Sequence, residues 1–554
     1  MFKRNVLKSV LPGKHKNKIK ADVIVLGCSL PGIVTAHKLK KRFGDSMDIV
    51  VLDLVGPTKF SSKCNVAFQE VWEQEDETPQ IGNIQEYDVT ARQLIDNVAR
   101  YYLAKYAREF SIPLPDAIVA PDKEKSDLVK VFQHRNGKTV PVECDTEYHD
   151  YQYLSFMEKF ELNQYQTLLD QNMIVLFQTH HEATESDREW LLYYDQTTME
   201  KHICEALFFN TSREIMRMTV KLVCGASASC VSVLFYLHQC YRTSSSKNHL
   251  DGHNTRFREK LLGYCKKRIT HKLQQSVADI TQAVKNIKEI RTYANEQVMV
   301  ETMKGEANYV CDLLAMALKP DELHTIQVEE VLMSKPYANV TRNMVPGYAK
   351  KFVIQYENNF WSRQGYSGDI LSIQGPIIWA IERPKFSTTG STNRYGALVG
   401  YLMTDKLEEE SKEAVIDQLV KLFGEEAATP VSYKETDVAD VFVPRCGDYV
   451  AVRKLTTQES PKFMVWASLD IFSDGDVAAA LEAGDTAYLH LLSCLRPQAQ
   501  TYEDLSSAEW PMFLSENPLP RWLAQINVIS GIKWSIYFGI SLMAFRAFKS
   551  LMQK

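Results

Sequence analysis

The apolar positions change period repeatedly along the chain, and the first segments are the most telling. Ala21 to Leu26 (ADVIVL) is a short β-branched run, the mark of a buried strand. Gly27-Cys28-Ser29-Leu30-Pro31-Gly32 follows as a turn, and the spacing from about Ile33 to Phe43 predicts a helix. Met47 to Leu54 (MDIVVLDL) is a second buried strand, with Asp53 near its end, 21 positions after Gly32. This is a βαβ start with an acid where a ribose-binding carboxylate belongs.

Further on, Val89 to Phe110 has helical periodicity, and Thr197 to Gln239 reads as two or three helices. His180 to Glu189 reads as a polar, acid-rich loop, and Thr243 to Asn254 as another loop. Val298 to Glu301, Phe352 to Tyr356 and Ala397 to Met403 are strand-like. The last apolar stretch, Trp522 to Phe545, carries a single charge at Lys533. Its 24 residues reach roughly 36 Å as a helix, enough to cross a hydrocarbon core of about 30 Å. Trp522, Trp534 and Tyr537 suit an interfacial aromatic belt, and Arg546, Lys549 and Lys554 crowd the far end. We expect a tail anchor, with a buried or surface amphipathic helix as the alternative. Modest hydrophobicity between basic flanks points to the mitochondrial outer membrane, with the body facing the cytosol.

Composition narrows the class without naming a chemistry. Hydrophobic residues make up 45% and charged residues 24% of the 554 positions, a globular balance. The net charge of −5 gives no electrostatic case for nucleic acid. Two basic stretches stand out, Lys3 to Lys20 and Arg256 to Lys272. Each reads as a solvated surface, or as a contact for anionic lipid or an acidic partner; the first also suits a mitochondrial presequence. Eleven cysteines follow no CxxC spacing, as expected of reduced thiols; Cys204, Cys224, Cys230 and Cys240 fall in stretches read as helical. No HExxH, GKS/T or GxSxG motif is present. His180 and His181 are adjacent and so cannot share a helix face as a metal pair, and no metal site is expected.

Several segments, in order, resemble the flavin-dependent monoamine oxidases. They are Asp195-Gln196-Thr197-Thr198-Met199; Thr219-Val220-Lys221 with Cys230 to Leu237; Val298 to Thr302; and Tyr309-Val310 with Lys319-Pro320. Val345 to Lys351 running on to Asn359-Phe360-Trp361, and Leu481-Glu482-Ala483-Gly484, complete the series. The resemblance implies an α/β fold: a Rossmann-type FAD/NAD(P)-binding domain, a mixed-sheet amine-oxidase substrate domain and a C-terminal membrane helix. The expected division is a basic arm at 1–20, nucleotide-domain segments at 21–110, 241–320 and 431–515, substrate-domain segments at 111–240 and 321–430, and the anchor at 520–550.

The resemblance also implies FAD as cofactor and Lys351 as the lysine that holds a water near the flavin. Gly27, Ser29, Gly32 and Asp53 fall on the family's nucleotide motif, and Cys446 near the cysteine that links the flavin covalently. The match is damaged at four separate places. Ser29 replaces the middle glycine, with Pro31 beside it; Val55 to Ser61 lacks the family's Gly-Gly-Arg loop. Cys446 sits in Pro444-Arg445-Cys446-Gly447-Asp448-Tyr449 instead of Ser-Gly-Gly-Cys-Tyr, and counting back from Trp466 moves that site to Val438. Trp466-Ala467-Ser468 stands for Gly-Thr-Glu, and Asp476 for a substrate-cage tyrosine. The leading expectation is a catalytically degenerate, tail-anchored, monoamine oxidase-like binding or scaffolding protein. The alternative is an active FAD-dependent amine oxidase, deaminating an amine substrate at a noncovalent flavin site. A protein partner and a homodimer are compatible with either.

Overall fold

The computed structural model describes residues 18–54, 98–112, 128–178, 185–242, 268–346, 349–382, 396–403, 411–437, 442–452, 463–467, 477–496 and 526–552, apart from a few internal positions. The basic arm up to Asn17, most of the second basic stretch, Val55 to Ser61, Ser468, Asp476 and Trp522 lie outside the described residues.

Two sheets organise the body. The first contains β1 (Lys18–Leu26), β2 (Ile49–Leu54), β5 (Thr281–Val284), β6 (Ile287–Tyr293), β7 (Gln297–Thr302), β8 (Asn308–Met316), β9 (Gln327–Val328) and β17 (Met464–Trp466). Its order is β5-β2-β1-β8-β7-β6-β9, with β17 also pairing β8. The run β5-β2-β1-β8-β17 is parallel throughout, the doubly wound arrangement that the βαβ start predicts. The second sheet contains β3 (Val129–Gln133), β4 (Thr139–Glu143), β11 (Ala349–Tyr356), β12 (Tyr366–Ser372), β13 (Ile377–Glu382), β14 (Gly396–Met403) and β15 (Ser432–Asp437). Its order is β15-β11-β14-β13-β12-β3-β4 and its pairing is mixed. A short pair joins β10 (Val345–Pro346) to β16 (Phe442–Val443).

Strand alternation assigns each side chain to a core. Val23 and Val25 of β1 pack with α1 (Leu30–Phe43), α2 (Val98–Glu109), α8 (268–277) and α10 (Val477–Leu495). Ile24 and Leu26 face the other way, into a core shared with α3 (Phe156–Met173), α4 (Glu185–Gln196), α5 (Met199–Ala206), α6 (Asn210–Cys224) and α7 (Val233–Arg242). That core also takes Val353 of β11, whereas Phe352 and Ile354 turn to a third core under α9 (Lys412–Phe423). The period of two thus makes both sheets two-sided, and buried runs such as VIVL are its consequence.

Three details differ from the sequence reading. The acid-rich stretch after His180 enters a helix at Glu185, because Glu and Asp in a first turn suit the helix dipole as well as they suit a loop. Cys230 lies in the turn before α7. The terminal helix, α11 (Val528–Met552), starts later and ends later than Trp522 to Phe545. Asn527 sets that start: its Oδ1 accepts from Ser530 N at 2.8 Å, while Ser530 Oγ accepts from Asn527 N at 2.9 Å, a reciprocal cap. Residues Val528–Phe548 are long and apolar enough to cross a membrane, and none of the tested window is buried against the body.

Candidate functional site: the ends of the parallel strands

The parallel strands end together. Leu26 pairs with Leu52 and Met316, and Met316 with Trp466. Ala317 N donates to Leu26 O, Gly27 N to Leu52 O and Ala467 N to Met316 O, each within 2.8–2.9 Å. Gly27, Ala317 and Ala467 therefore lie side by side at the carboxyl edge, where open α/β sheets place their ligand sites.

Gly27 has φ +107°, and a Cβ there would lie 2.5 Å from Ala317 O. At Gly32 a Cβ would meet Ala317 Cβ at 2.5 Å and Gly27 O at 2.7 Å. Both glycines serve the tight turn and the close packing of α1 on the sheet. On the far side of α1, Gly484 of α10 approaches so nearly that a Cβ would sit 2.5 Å from Val34 Cβ, and Thr35 Oγ1 bonds Gly484 O at 3.1 Å.

Ser29 behaves differently. It is the N-cap of α1, and its carbonyl accepts the first helical bond, from Ile33 N. Its hydroxyl caps nothing and instead donates to Ala317 O at 2.5 Å. Pro31 takes one backbone donor from the first turn, which also contains no acid. Asp53, near the end of β2, is reached by the thiol of Cys28. Burial pushes that thiol up to about 12, and the charge and hydrogen-bonding of Asp53 add to the effect. Cys28 is a partner the motif reading missed; its place between Gly27 and Ser29, level with the end of the second strand, was the available signal.

Trp466 is 4% exposed and packs in the core that holds Leu26, Leu52 and Met316, and its Nε1–H has no acceptor among the described residues. Two other predicted site residues come from other elements. Lys351 sits in β11 opposite Tyr401 and Thr436, in the second sheet. Its neighbour Lys350, 3% exposed, pairs with Glu435 at 2.8 Å. Burial raises that carboxyl, but Lys350, Tyr433 and the Ser411 N–H together hold it below its ordinary value.

Cys446 lies in a turn packed on the helical region. Its thiol donates to Asp195 O at 3.2 Å, and Gly447 N to the same oxygen at 2.8 Å. The Asp195 carboxylate caps the following turn, accepting Tyr449 N at 3.2 Å and Val450 N at 3.0 Å. Burial still raises its pKa despite these bonds. Burial likewise raises Cys446, followed by the charges of Asp195 and Asp448. Asp195 opened the first of the quoted resemblance segments, and its structural duty is this cap. Among the described residues no group of three or more His, Cys, Asp or Glu side chains could hold a metal ion.

Comparison with known proteins follows this geometry. The model of the flavin containing amine oxidoreductases matches residues 103–487. A probable flavin-containing monoamine oxidase A of Dictyostelium discoideum is 24% identical over 251 residues, which is 44% of this chain and 53% of that protein. The matched stretch thus spans about half the length of that relative. Among solved structures, wild-type putrescine oxidase bound to putrescine superposes with a TM-score of 0.61 at 14% identity, over 86% of this chain and 100% of that one. Cyclohexylamine oxidase from Brevibacterium oxydans IH-35A gives 0.58 at 15%, over 85% and 99%. At such identities the superpositions speak for the fold. The family match spans well over half of the residues, so the chain belongs to the flavin containing amine oxidoreductase family.

Proposed function

We propose that this chain is a degenerate member of its family: a membrane-anchored binding or scaffolding protein whose flavin site is closed on itself. One observation carries the reading. In a dinucleotide loop the first glycine makes the turn, the second lets the backbone approach the pyrophosphate and the third packs helix on strand. Gly27 and Gly32, whose duties belong to the fold, are kept, while Ser29 stands at the position whose duty belongs to the ligand. The surrounding groups point the same way. Ser29 is bonded to Ala317, Cys28 turns to Asp53, Pro31 withholds an N–H and the Trp466 ring is part of the core. This is a poor cradle for FAD, which needs an unobstructed loop, several free N–H donors and an uncommitted carboxylate. Cys446, bonded to Asp195 O, is accordingly read as structural.

The proposed address is the cytosolic face of the mitochondrial outer membrane, reached through α11, whose modest hydrophobicity between basic residues is the support. Absorbance of the purified full chain tests the central claim. We expect no flavin band; near-stoichiometric flavin would overturn degeneracy. The second reading, a working amine oxidase with a noncovalent flavin, has specific support in the retained Gly27, Gly32 and Asp53 and in Lys351 on β11. Putrescine and cyclohexylamine, taken from the names of the similar structures, are then the first amines to try, with hydrogen peroxide release as the readout.

A further inference from the structure

The helical region carries a buried tyrosine–histidine pair that the candidate site does not use. Tyr165 of α3 is 3% exposed, and its hydroxyl lies 2.7 Å from Nδ1 of His202 on α5. Burial pushes the phenol well above its ordinary value and lowers His202 to about 4, so both partners are neutral at neutral pH. A neutral imidazole leaves one ring nitrogen without a proton. The Tyr165 hydroxyl has no other acceptor among the described residues, so it donates to that nitrogen.

A series of rings joins this pair to the surface. Ring centroids are 5.5 Å apart for Tyr165 and His202, 6.1 Å for His202 and Tyr194, and 5.7 Å for Tyr194 and Trp190. Tyr193 lies 5.5 Å from Tyr194 and 5.8 Å from Trp190. These three sit at positions i, i+3 and i+4 of α4, which brings their rings together. Trp190 and Tyr193 are 39% and 45% exposed, whereas Tyr194 is 5% exposed. Tyrosine and tryptophan are the aromatic side chains most readily oxidised by one electron. Electron transfer weakens steeply with distance, so rings in contact pass a charge that isolated rings do not. A phenol gives up an electron easily only where its proton can leave too, and a hydrogen-bonded neutral imidazole takes that proton.

We propose that Tyr165 and His202 form a proton-coupled redox pair, to which Trp190, Tyr193 and Tyr194 pass an oxidising equivalent from the surface. The oxidant is of the one-electron class, such as an oxyl radical derived from a peroxide, and it meets Trp190 or Tyr193. It gains one electron there. Tyr165 finally supplies that electron, and its hydroxyl proton moves to His202 Nδ1. The products are a neutral tyrosyl radical and an imidazolium, joined by the same hydrogen bond with nitrogen now the donor. No bond between heavy atoms forms or breaks. The chemistry asks nothing of the Gly27 to Gly32 loop, so it stands whether or not a flavin binds.

The test is flash photolysis of the full chain in detergent with a ruthenium polypyridyl sensitiser and persulfate, read by electron paramagnetic resonance. We expect a long-lived tyrosyl signal in the parent that falls to background in Tyr165→Phe, a change that keeps the ring. It should weaken in Tyr194→Leu, which cuts the relay. In His202→Leu it should form at least about 100-fold more slowly, the scale of a lost general base. A long-lived signal that survives Tyr165→Phe, is undiminished in Tyr194→Leu or forms as fast in His202→Leu overturns the inference. If the His202 variant does not fold, high-field spectra of the parent decide. A hydrogen bond to the radical oxygen supports the pair, and its absence overturns it.

Discussion

Replacing Trp466 separates a core residue from a ligand contact. Trp466→Ala removes the ring from a site 4% exposed at the tip of β17, and such truncations cost about 3–5 kcal/mol. Trp466→Phe works differently. It loses part of the indole, worth about 1–2 kcal/mol at roughly 0.8 kcal/mol per methylene equivalent. The residual void adds about 1 kcal/mol at roughly 24 cal/mol per Å³. Against this, it removes a buried N–H that has no acceptor among the described residues, whose desolvation costs about 1–3 kcal/mol. The two sides nearly cancel. We expect Trp466→Phe within about 1 kcal/mol of the parent and Trp466→Ala at least about 2 kcal/mol below it.

Urea unfolding of the full chain in detergent, followed by far-UV circular dichroism, reads this as a shift in midpoint at constant slope. Adding FAD should leave the parent midpoint where it was; a ligand at a hundred times its Kd would add about 2.7 kcal/mol. If Trp466→Phe proves as damaging as Trp466→Ala, the reasoning fails. The indole N–H then has an acceptor, and a ligand carbonyl at the strand ends becomes the natural one.

Other perturbations test other parts. Gly32→Ala must push Ala317 away from 2.5 Å, and we expect a loss of about 1–3 kcal/mol by urea titration, equal with and without FAD. Asp195→Ala uncaps Tyr449 N and Val450 N, for a loss of about 1–2 kcal/mol; Asp195→Asn should keep part of the cap. Acid should weaken the fold in two windows. Burial lowers His202 from 6.5 to about 4, so it is neutral in the fold, and stability complete above 6.5 is lost as pH falls through 4. Burial raises Glu109, but its bonds to His37 and Lys41 outweigh that and bring it from 4.5 to about 2, so its contribution is complete above 4.5 and lost on the way to 2. Denaturation midpoints against pH should therefore fall less steeply between 4.5 and 2 in Glu109→Gln. Deleting residues 526–554 should move the protein into the soluble fraction of a cell lysate; continued sedimentation with membranes would show that α11 is not the sole anchor.

How legible each element was follows from how local its cause is. β1, α1 and β2 could be read because a β-branched run, a glycine turn and a periodic stretch lie within 37 consecutive residues, 18 to 54. The second sheet was legible only in pieces, Phe352 to Tyr356 and Ala397 to Met403, because its order places β3 next to β12, more than 200 residues away. Local periodicity contains no record of that pairing. At the candidate site, Gly27, Ser29 and Asp53 could be numbered from the motif, but the Ser29 to Ala317 bond spans 288 positions. The capping by Asp195 of a turn more than 250 residues later was equally out of reach. Buried Lys350 beside Lys351 shows the same limit: two adjacent lysines on a strand look alike until one finds Glu435 across the sheet.

The retained and the lost residues divide along a physical line. Gly27, Gly32 and Gly484 each lie where a Cβ would come within 2.5 Å of a neighbouring atom, so the fold itself requires them whether or not a nucleotide ever binds. Ser29 and Pro31 meet no such constraint: one fits through a bond to Ala317, and the other sits in a helix's first turn, where proline is tolerated. A chain that must fold but need not hold a cofactor would keep the first set and let the second drift, as the proposed degeneracy requires. The same logic makes the double change Ser29→Gly/Pro31→Ala informative. It should lower stability by about 1–2 kcal/mol, since Pro31 is buried and Ser29 gives up its bond to Ala317 O. If it alone restored flavin binding, the block would lie in the loop; we expect it to fail, because Cys28 still turns to Asp53 and the Trp466 ring stays in the core.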